Sequence, residues 1–352
     1  MNQFDYVRPS SVAEAAALAA QPGAAFLAGG TNLIDLMKVG AARPARLVDI
    51  RRLPGLDRIE WLDNGGARVG AMVRNSDLAY DQRFARTYPA VAEALLSGAS
   101  AQLRNAATVG GNLMQETRCA YFHDMASACN RREPGAGCDA RHGQNRLHAV
   151  LGWSEHCIAI HPSDFATPLV ALNAVVEVQG QHGLREIPID SLHRLPGADP
   201  RRSTALEPGE LIVALRLPAE AAAFSRHARY LKLRERTSFA FAVVSAAAAL
   251  RLEDGSIREA RIALGAVAAK PWRAREAEAA LAGAQPSRES FVRAAGIALA
   301  DAGPSGDNAF KIELARRIVL RALAAAAEGT PDATPALPGS PFSTIPGVRN
   351  VA

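Results

Sequence analysis

The sequence predicts an α+β protein with two folded domains. A chain of 352 residues is long enough for more than one hydrophobic core, and 49% hydrophobic with 21% charged residues is an ordinary globular balance. Short strand and helix patterns alternate up to about residue 222, whereas residues 228–328 begin with strands and end with Ala-rich helical stretches. We therefore expect a first domain over 1–222, a compact α+β domain over 228–328 and an extended tail over 329–352.

The first part of the N-terminal domain, about residues 1–55, has the pattern of a small βαβ-like unit. Ser11 and Glu14 form a capping-box pattern, which predicts the start of a helix. The stretch AAFLAGGTNLIDLMK predicts a short strand, a glycine turn and a helix beginning near Thr31. RLVDI at 46–50 then predicts a second strand.

The remainder of this domain, about residues 56–222, is predicted to combine strands with a helical segment. GARVGAMV at 66–73 has the composition of a strand, and residues 76–98 have a helical pattern that Pro89 interrupts. The stretches AVVEVQ and LIVALRLP predict two more strands further along the chain.

The second domain is predicted to begin with antiparallel strands. RYLKLRER and the long stretch FAFAVVSAAAALRLEDGSIREARIALGAV supply these strands, with a hairpin turn at EDGS. Helical stretches follow near 273–283, 288–301 and 307–328. The tail contains five prolines and no periodicity, so we expect it to be disordered or to lie across a neighbouring subunit.

Composition argues against several classes of function. The net charge of +5 is dispersed and only 5% of residues are aromatic, so we do not expect nucleic-acid binding, although a basic face for an acidic partner subunit is compatible with it. The uncharged run at 239–250 is too short to span a bilayer. The first ten residues lack the pattern of an export signal, so the chain's own sequence predicts a cytoplasmic location.

Two glycine pairs occur in matching contexts, Gly29-Gly30 in FLAGGTN and Gly110-Gly111 in ATVGGNL. Glycine lets the backbone bend sharply and approach a ligand, and free N–H groups in the following turn attract an anion. Two such turns could hold a pyrophosphate, but either pair taken alone is better explained as an ordinary strand-to-helix turn. Neither pair forms a GxGxxG fingerprint or a P-loop, so a Rossmann nucleotide site is not predicted.

All four cysteines fall within one window, at Cys119, Cys129, Cys138 and Cys157. A 4Fe–4S cluster takes four thiolates, one for each iron. Structural zinc also takes four sulfurs, although its sites usually contain CxxC pairs, which this window lacks. Disulfides in an oxidising compartment and four free thiols are the remaining alternatives.

The order of these segments closely resembles the flavin subunit of the xanthine dehydrogenase and carbon monoxide dehydrogenase family of molybdenum hydroxylases. The resemblance rests on FLAGGTNLIDLMK, LRNAATVGGNL, HPSDFATPLVALNAVVEV and YLKLRERTSFAFAVVSAAAAL, and it runs from about residue 4 to residue 328. It implies a two-part FAD-binding domain of the vanillyl-alcohol oxidase or p-cresol methylhydroxylase type, with subdomains of about 1–55 and 56–222. A carbon monoxide dehydrogenase flavoprotein-like α+β domain is implied for the C-terminal part.

The resemblance also implies a set of FAD-binding residues. The first glycine loop would contact the pyrophosphate, the second would line the cofactor, Asp164 would bind ribityl or ribose hydroxyls, and Lys232 would lie near the flavin ring. Without the family, Lys232 is compatible with an exposed strand lysine and Asp164 with a helix N-cap. No catalytic residue is assigned to this chain. The implied cofactor-binding residues are Leu27, Ala28, Gly29, Gly30, Thr31, Asn32, Leu33, Thr108, Gly111, Asn112, Asp164, Ile212 and Lys232.

One branch of the family accounts for the cysteines. Asn112 and Asp164 are 52 positions apart, which is a long insertion relative to most members, and the cysteine insert at about 116–160 contains every cysteine. The flavin subunits of 4-hydroxybenzoyl-CoA reductase and periplasmic aldehyde oxidoreductase carry a 4Fe–4S cluster in this loop. The resemblance therefore implies a cluster held by the four cysteines. Five histidines in or beside the insert are interpreted as polar loop packing: residues 123, 142, 148, 156 and 161.

The resemblance implies an FAD and 4Fe–4S electron-transfer subunit of a molybdenum hydroxylase, most simply an aldehyde oxidoreductase. A large partner would carry the molybdenum cofactor, a small partner the 2Fe–2S clusters, and an external acceptor would receive the electrons. A partner's signal would allow export of the whole complex to the periplasm. Two alternatives are a self-contained flavin oxidase of the p-cresol methylhydroxylase fold and a non-catalytic assembly module with a zinc-stapled loop.

Overall fold

The structure is a computed structural model, and it describes residues 1–332. The predicted tail therefore lies outside the described residues apart from 329–332. Within the described residues, no helix is long and apolar enough to cross a membrane.

The N-terminal unit is a three-stranded parallel sheet with two helices. Its elements are β1 (Asp5–Val7), α1 (Val12–Ala19), β2 (Ala24–Leu27), α2 (Leu33–Val39) and β3 (Arg46–Asp49). Strand β3 lies in the centre and pairs in parallel with both β1 and β2, so the predicted βαβ order is confirmed. Helix α1 begins where the capping pattern predicts, because the Ser11 hydroxyl accepts the N–H of Glu14 at 3.1 Å.

The second part of the N-terminal domain is built on a five-stranded antiparallel sheet of order β4-β5-β8-β6-β7. Helices pack on it around a core that includes Phe84, Phe165 and Leu169. The elements are β4 (Ile59–Trp61), β5 (Ala67–Gly70), α3 (Asn75–Tyr80), α4 (Gln82–Thr87), α5 (Pro89–Ser97), α6 (Ala101–Arg104), α7 (Val109–Leu113), α8 (Ala120–His123), α9 (Ala166–Ala171), β6 (Val175–Gly180), β7 (Gly183–Pro188), α10 (Ile189–Leu192) and β8 (Leu211–Leu217).

The helical segment at 76–98 is broken twice rather than once. Pro89 occupies the first turn of α5, as its missing N–H and fixed φ favour. The additional break lies at Asp81, which is extended and accepts the N–H of Phe84 through its side chain at 2.7 Å. Asp81 therefore caps α4, and this local hydrogen bond competes with continuation of the preceding helix.

The C-terminal domain contains a four-stranded antiparallel sheet of order β12-β11-β10-β9, covered by helices. Its elements are β9 (Ala228–Leu233), β10 (Val244–Glu253), β11 (Ser256–Gly265), β12 (Trp272–Arg273), α11 (Arg275–Leu281), α12 (Arg288–Ala298) and α13 (Phe310–Glu328). The hairpin at EDGS is confirmed, since Asp254 and Gly255 both have positive φ, as a two-residue turn between twisted strands requires.

A buried carboxylate joins the two domains beside the site described below. Glu93 on α5 accepts the N–H of Tyr230 at 2.7 Å and pairs with Arg229 at 2.9 Å, both on β9. Burial raises the pKa of Glu93 despite the arginine. The contact places the end of β9 against the N-terminal domain, and with it the side chain of Lys232.

Candidate functional site

A cavity of about 780 Å³ lies between the two domains and is called the interdomain cavity here. Its size is within the range of sites for large organic ligands. Both glycine loops reach it, and so do the segments that contain Asp164 and Lys232. The predicted site residues on its wall are Thr31, Asn32, Gly111, Asn112, Asp164 and Lys232.

The two glycine loops approach each other with little space between their backbones. A Cβ on Gly29 would lie 2.1 Å from the carbonyl oxygen of Ala106, and Gly30 has a φ of +73°. Thr108 accepts the N–H of Gly111 at 3.2 Å and so fixes the second loop. The first glycine of the pair therefore allows the loops to pack, while Thr31 and Asn32 face the cavity.

Replacing Gly29 by alanine is expected to separate the two loops and weaken FAD binding at least tenfold. The new methyl group would overlap a backbone carbonyl, which cannot move without shifting the second loop. Equilibrium dialysis of FAD against the apo chain measures the effect. Gly296→Ala is the matched control, because a Cβ there would have no atom of residues 1–332 within 4 Å and alanine favours the helix. Equal FAD affinity in the two variants would contradict the packing role of Gly29.

The second glycine loop is tied to the segment before Asp164. The Asn112 side-chain oxygen accepts hydrogen bonds from the Ser163 hydroxyl at 2.7 Å and from Gln115 at 2.8 Å. Ser163 also accepts the N–H of Ala166 at 3.1 Å. Ser163, rather than Asp164, therefore caps the turn before α9, and the carboxylate of Asp164 is available to the site.

Asp164 and Lys232 form a buried ion pair, with 2.7 Å between the lysine nitrogen and the carboxylate. The Lys232 side chain is 3% exposed, so the alternative of an exposed strand lysine is wrong. Lys232 also donates to the carbonyl of Ser97 at 3.1 Å. Tyr230 donates to the other Asp164 oxygen at 2.5 Å, and burial, with the neighbouring carboxylate, raises the pKa of Tyr230 well above its ordinary value.

The other predicted residues lie away from the cavity wall. Ile212 is buried in β8 and packs in the core of the five-stranded sheet, where it pairs with Val178. Thr108 stabilises the second loop through its hydrogen bond with the Gly111 N–H. The residues of the predicted set that do not line the cavity are Leu27, Ala28, Gly29, Gly30, Leu33, Thr108 and Ile212.

Sequence reasoning missed a group of cations on the cavity wall. Arg118 lies in the cysteine insert with its guanidinium 5.1 Å from the centre of the Phe241 ring, and burial lowers its pKa. Arg104 is buried and donates to the carbonyl of Gly98 at 2.8 Å. No local motif marks these residues, because they are dispersed along the chain. The cavity-lining arginines are Arg104, Arg118, Arg146 and Arg236.

All four cysteines line one small enclosed pocket, called the cysteine pocket here. Cys129 and Cys138 are directly opposite each other in an antiparallel bridge. Hydrogen bonds from Asn130 N–H to Gly137 and from Asp139 N–H to Ala128 flank this pair, at 2.7 and 3.1 Å. This is the closely spaced type of cross-strand pair, whose side chains project to the same side.

The four thiols are free; Cys129 and Cys157 are buried, and Cys119 and Cys138 are partly buried. None forms a disulfide. Burial raises the pKa of Cys119 to about 11 and also raises those of Cys138 and Cys157. Burial therefore disfavours bare thiolates in this pocket, and the thiols would ionise only beside a positive charge such as that of a metal centre.

Within residues 1–332, no three His, Cys, Asp or Glu side chains converge closely enough to hold one metal ion. The four cysteines nevertheless share one pocket wall. Four thiols on one wall are the number of protein ligands that a 4Fe–4S cluster takes, and also the number that structural zinc takes.

The cysteine pocket and the interdomain cavity share part of their walls. Thr117 and Cys119 line both, and His148 lines the cavity with its Nε2 3.2 Å from the Cys119 sulfur. The insert packs on α2 through Phe122 and Leu36, which contact Cys129 in a small apolar cluster. The contact of His148 with Cys119 goes beyond the polar loop packing that the sequence predicts for this histidine.

A buried histidine pair lies beside the cavity. The rings of His161 and His193 are 4.1 Å apart, and His193 Nε2 is 2.8 Å from the carbonyl of Leu113. Burial lowers the pKa of His193 from 6.5 to about 4 and lowers that of His161 well below its ordinary value. Both rings are therefore neutral in the folded protein at neutral pH.

Acidification from about pH 6.5 to about pH 4 is expected to destabilise the chain by roughly 3 kcal/mol through His193, since one pKa unit corresponds to about 1.4 kcal/mol. The imidazole of His193 takes up its proton at higher pH in the unfolded chain than in the folded chain. Its contribution to the free energy of unfolding is therefore complete above the unfolded pKa and is lost as the pH falls below it. Urea unfolding at several pH values measures this. His193→Gln should flatten the profile, and the exposed His182→Gln should not; identical profiles would contradict the assignment.

Comparison with known proteins identifies the fold. Residues 2–220 match the model of the FAD binding domain in molybdopterin dehydrogenase, and residues 229–326 match that of the carbon monoxide dehydrogenase flavoprotein C-terminal domain. The chain belongs to this family of flavin subunits. The predicted family, two-domain fold and oxidoreductase class are thereby confirmed, and FAD is the cofactor of the matched domain.

Relatives match this flavin subunit over almost its whole length. The aldehyde oxidoreductase FAD-binding subunit PaoB of Escherichia coli (strain K12) is 49% identical over 330 residues, covering 93% of this chain and 99% of the relative. The carbon monoxide dehydrogenase medium chain of Hydrogenophaga pseudoflava is 30% identical over 331 residues, covering 92% and 97%.

Solved structures agree with the fold of this flavin subunit. Carbon monoxide dehydrogenase from Hydrogenophaga pseudoflava superposes with a TM-score of 0.73 at 30% identity and covers 93% of this chain and 98% of its own. Quinoline 2-oxidoreductase from Pseudomonas putida 86 superposes with a TM-score of 0.71 at 26% identity, with the same coverage.

Proposed function

We propose that this chain is the FAD- and 4Fe–4S-binding electron-transfer subunit of a molybdenum-containing aldehyde oxidoreductase. A large partner oxidises the aldehyde at its molybdenum centre, and a small partner conducts the electrons through 2Fe–2S clusters to this subunit. An external acceptor then receives them at the flavin. The 49% identity to a subunit named for aldehyde oxidation supports the aldehyde as substrate class.

One observation carries the proposal: the pocket that holds all four cysteines shares Thr117 and Cys119 with the interdomain cavity. A redox centre on the four thiols would therefore be separated from a flavin in the cavity by a thin wall of this chain. Four free thiols on one pocket wall match a 4Fe–4S cluster, which takes one thiolate for each iron.

The residues on the cavity wall fit FAD. Thr31, Asn32 and Gly111 would contact the cofactor from the two glycine loops, and the cavity-lining arginines would balance its diphosphate charge. Bound FAD supplies the conversion between two-electron and one-electron transfer. Lys232 holds a positive charge at the wall and Asp164 keeps it in place at 2.7 Å, so this pair would orient the flavin and stabilise negative charge on it.

The subunit is expected to be catalytically incomplete on its own. The test compares the isolated chain with its complex with the molybdenum and 2Fe–2S partners, using an aromatic or aliphatic aldehyde and an artificial electron acceptor. The proposal predicts aldehyde oxidation by the complex and none by the isolated chain. Turnover by the isolated chain would favour a self-contained flavin oxidase and contradict the proposal.

A further inference from the structure

His148 occupies the junction of three parts of the molecule. Its ring contacts the Cys119 sulfur, it lines the interdomain cavity, and its backbone is bound by the C-terminal domain. We propose that His148 donates a hydrogen bond from Nε2 to the Cys119 sulfur and thereby raises the reduction potential of the cluster held by the four cysteines. This inference rests on the proposed function, because it assumes a 4Fe–4S cluster in the cysteine pocket.

The geometry and burial of the ring fit a hydrogen bond to sulfur. The distance from Nε2 to the Cys119 sulfur is 3.2 Å, and His148 is 9% exposed. The ring lies 6.5 Å from that of Tyr121, at a tilt of 50°, in the same part of the insert. Water therefore has little access to compete for the imidazole.

The surroundings of the other ring nitrogen assign the proton. Nδ1 of His148 is buried and has no hydrogen-bond partner within the described residues. A proton on Nδ1 with Nε2 bare would leave a buried N–H donor unsatisfied, which is costly. Every other form of the ring has a proton on Nε2. This favours the form of the ring that directs an N–H from Nε2 at the Cys119 sulfur.

The C-terminal domain fixes the position of this ring. Lys311 on α13 is fully buried and donates to the carbonyls of Leu147, His148 and Ala266 at 2.9, 2.8 and 2.8 Å. Asn308 donates to the carbonyls of His148 and Ala149 at 3.1 and 3.0 Å. Two hydrogen bonds from the C-terminal domain thus hold the carbonyl of His148, and two more hold the carbonyls of its neighbours Leu147 and Ala149.

The effect on potential follows from charge. Reduction adds one electron to the cluster and makes its sulfurs more negative, so an N–H donor to sulfur binds the reduced form more strongly than the oxidised form. Loss of the donor should make reduction less favourable. We expect an approximately tenfold change in the one-electron reduction equilibrium, which corresponds to about 59 mV.

The test is a reductive titration of the full chain with dithionite, in which magnetic resonance follows the cluster and absorbance follows FAD. His148→Phe should lower the midpoint of the cluster, and His148→Gln, which retains an N–H donor, should restore it towards the original value. His156→Phe is the control, since His156 lines the cysteine pocket but makes no hydrogen bond to sulfur within residues 1–332. An intact cluster with an unchanged midpoint in His148→Phe would overturn the inference.

A second measurement tests the inference if the His148→Phe variant does not retain its cluster. Chains grown with isotopically labelled histidine should show a histidine nitrogen coupling to the reduced cluster, and His148→Gln should abolish it. A coupling that survives in His148→Gln, or none in the unsubstituted chain, would overturn the inference. Iron and sulfide assays on the unsubstituted chain distinguish failure of the His148 inference from failure of the proposed function. If the proposed function is wrong, the unsubstituted chain contains no cluster.

Discussion

A Cys129→Ser variant is expected to purify with FAD but without a stable 4Fe–4S cluster, and so to lose most of about four irons per chain. Cys129 is 8% exposed and lies opposite Cys138 in the pocket wall. A serine hydroxyl there is a poor ligand for iron, and the remaining three thiols leave one iron without a protein ligand. Iron and acid-labile sulfide assays on anaerobically purified protein measure the loss.

Met125→Ser is the matched control for this substitution. Met125 lies in the same insert and also carries sulfur, but it is 40% exposed and does not line the cysteine pocket. Its variant should retain the iron content of the unsubstituted chain. If Cys129→Ser retains full iron and sulfide, the assignment of the four cysteines as cluster ligands is wrong.

Lys232→Met is expected to destabilise the apo chain by about 3–5 kcal/mol, because it leaves the buried Asp164 carboxylate without its cation. The same change should weaken FAD binding, since the pair forms part of the cavity wall. Urea unfolding followed by tryptophan fluorescence measures the stability. The double variant Lys232→Met, Asp164→Asn removes both charges while keeping an acceptor for Tyr230, and it should recover a large part of the loss.

Lys270→Met tests whether burial of the ion pair explains the loss of stability in Lys232→Met. Lys270 pairs with Asp190 at 2.9 Å, but the two side chains are 22% and 31% exposed. A pair in contact with water should contribute about 0–1 kcal/mol. Equal losses in Lys232→Met and Lys270→Met would contradict the account of Lys232 as a buried, site-forming residue.

The elements that local chemistry specifies could be predicted from the sequence. The Ser11 capping pattern and the Asp254-Gly255 turn each depend on residues a few positions apart, and both are confirmed. The edge strand β7 was missed because it is almost wholly exposed and lacks an apolar pattern. The break at Asp81 was missed because capping by a single side chain competes with an otherwise helical pattern.

The sequence predicted which segments form the site, but it did not predict the contacts between their side chains. The glycine loops, Asp164 and Lys232 were found from the family motifs, but the ion pair joins residues that are 68 positions apart on different domains. Tertiary packing alone brings them together. The same reason applies to Arg104, to Arg118 and to the contact of His148 with Cys119, for which no local pattern exists.

We propose that one chain binds both FAD and a 4Fe–4S cluster. The most direct measurement is the absorption spectrum of the anaerobically purified chain, with FAD, iron, sulfide and zinc determined on the same sample. We expect flavin bands on a broad iron–sulfur absorbance, with about four irons and four sulfides per chain. A flavin spectrum with zinc, or with no metal, would contradict it.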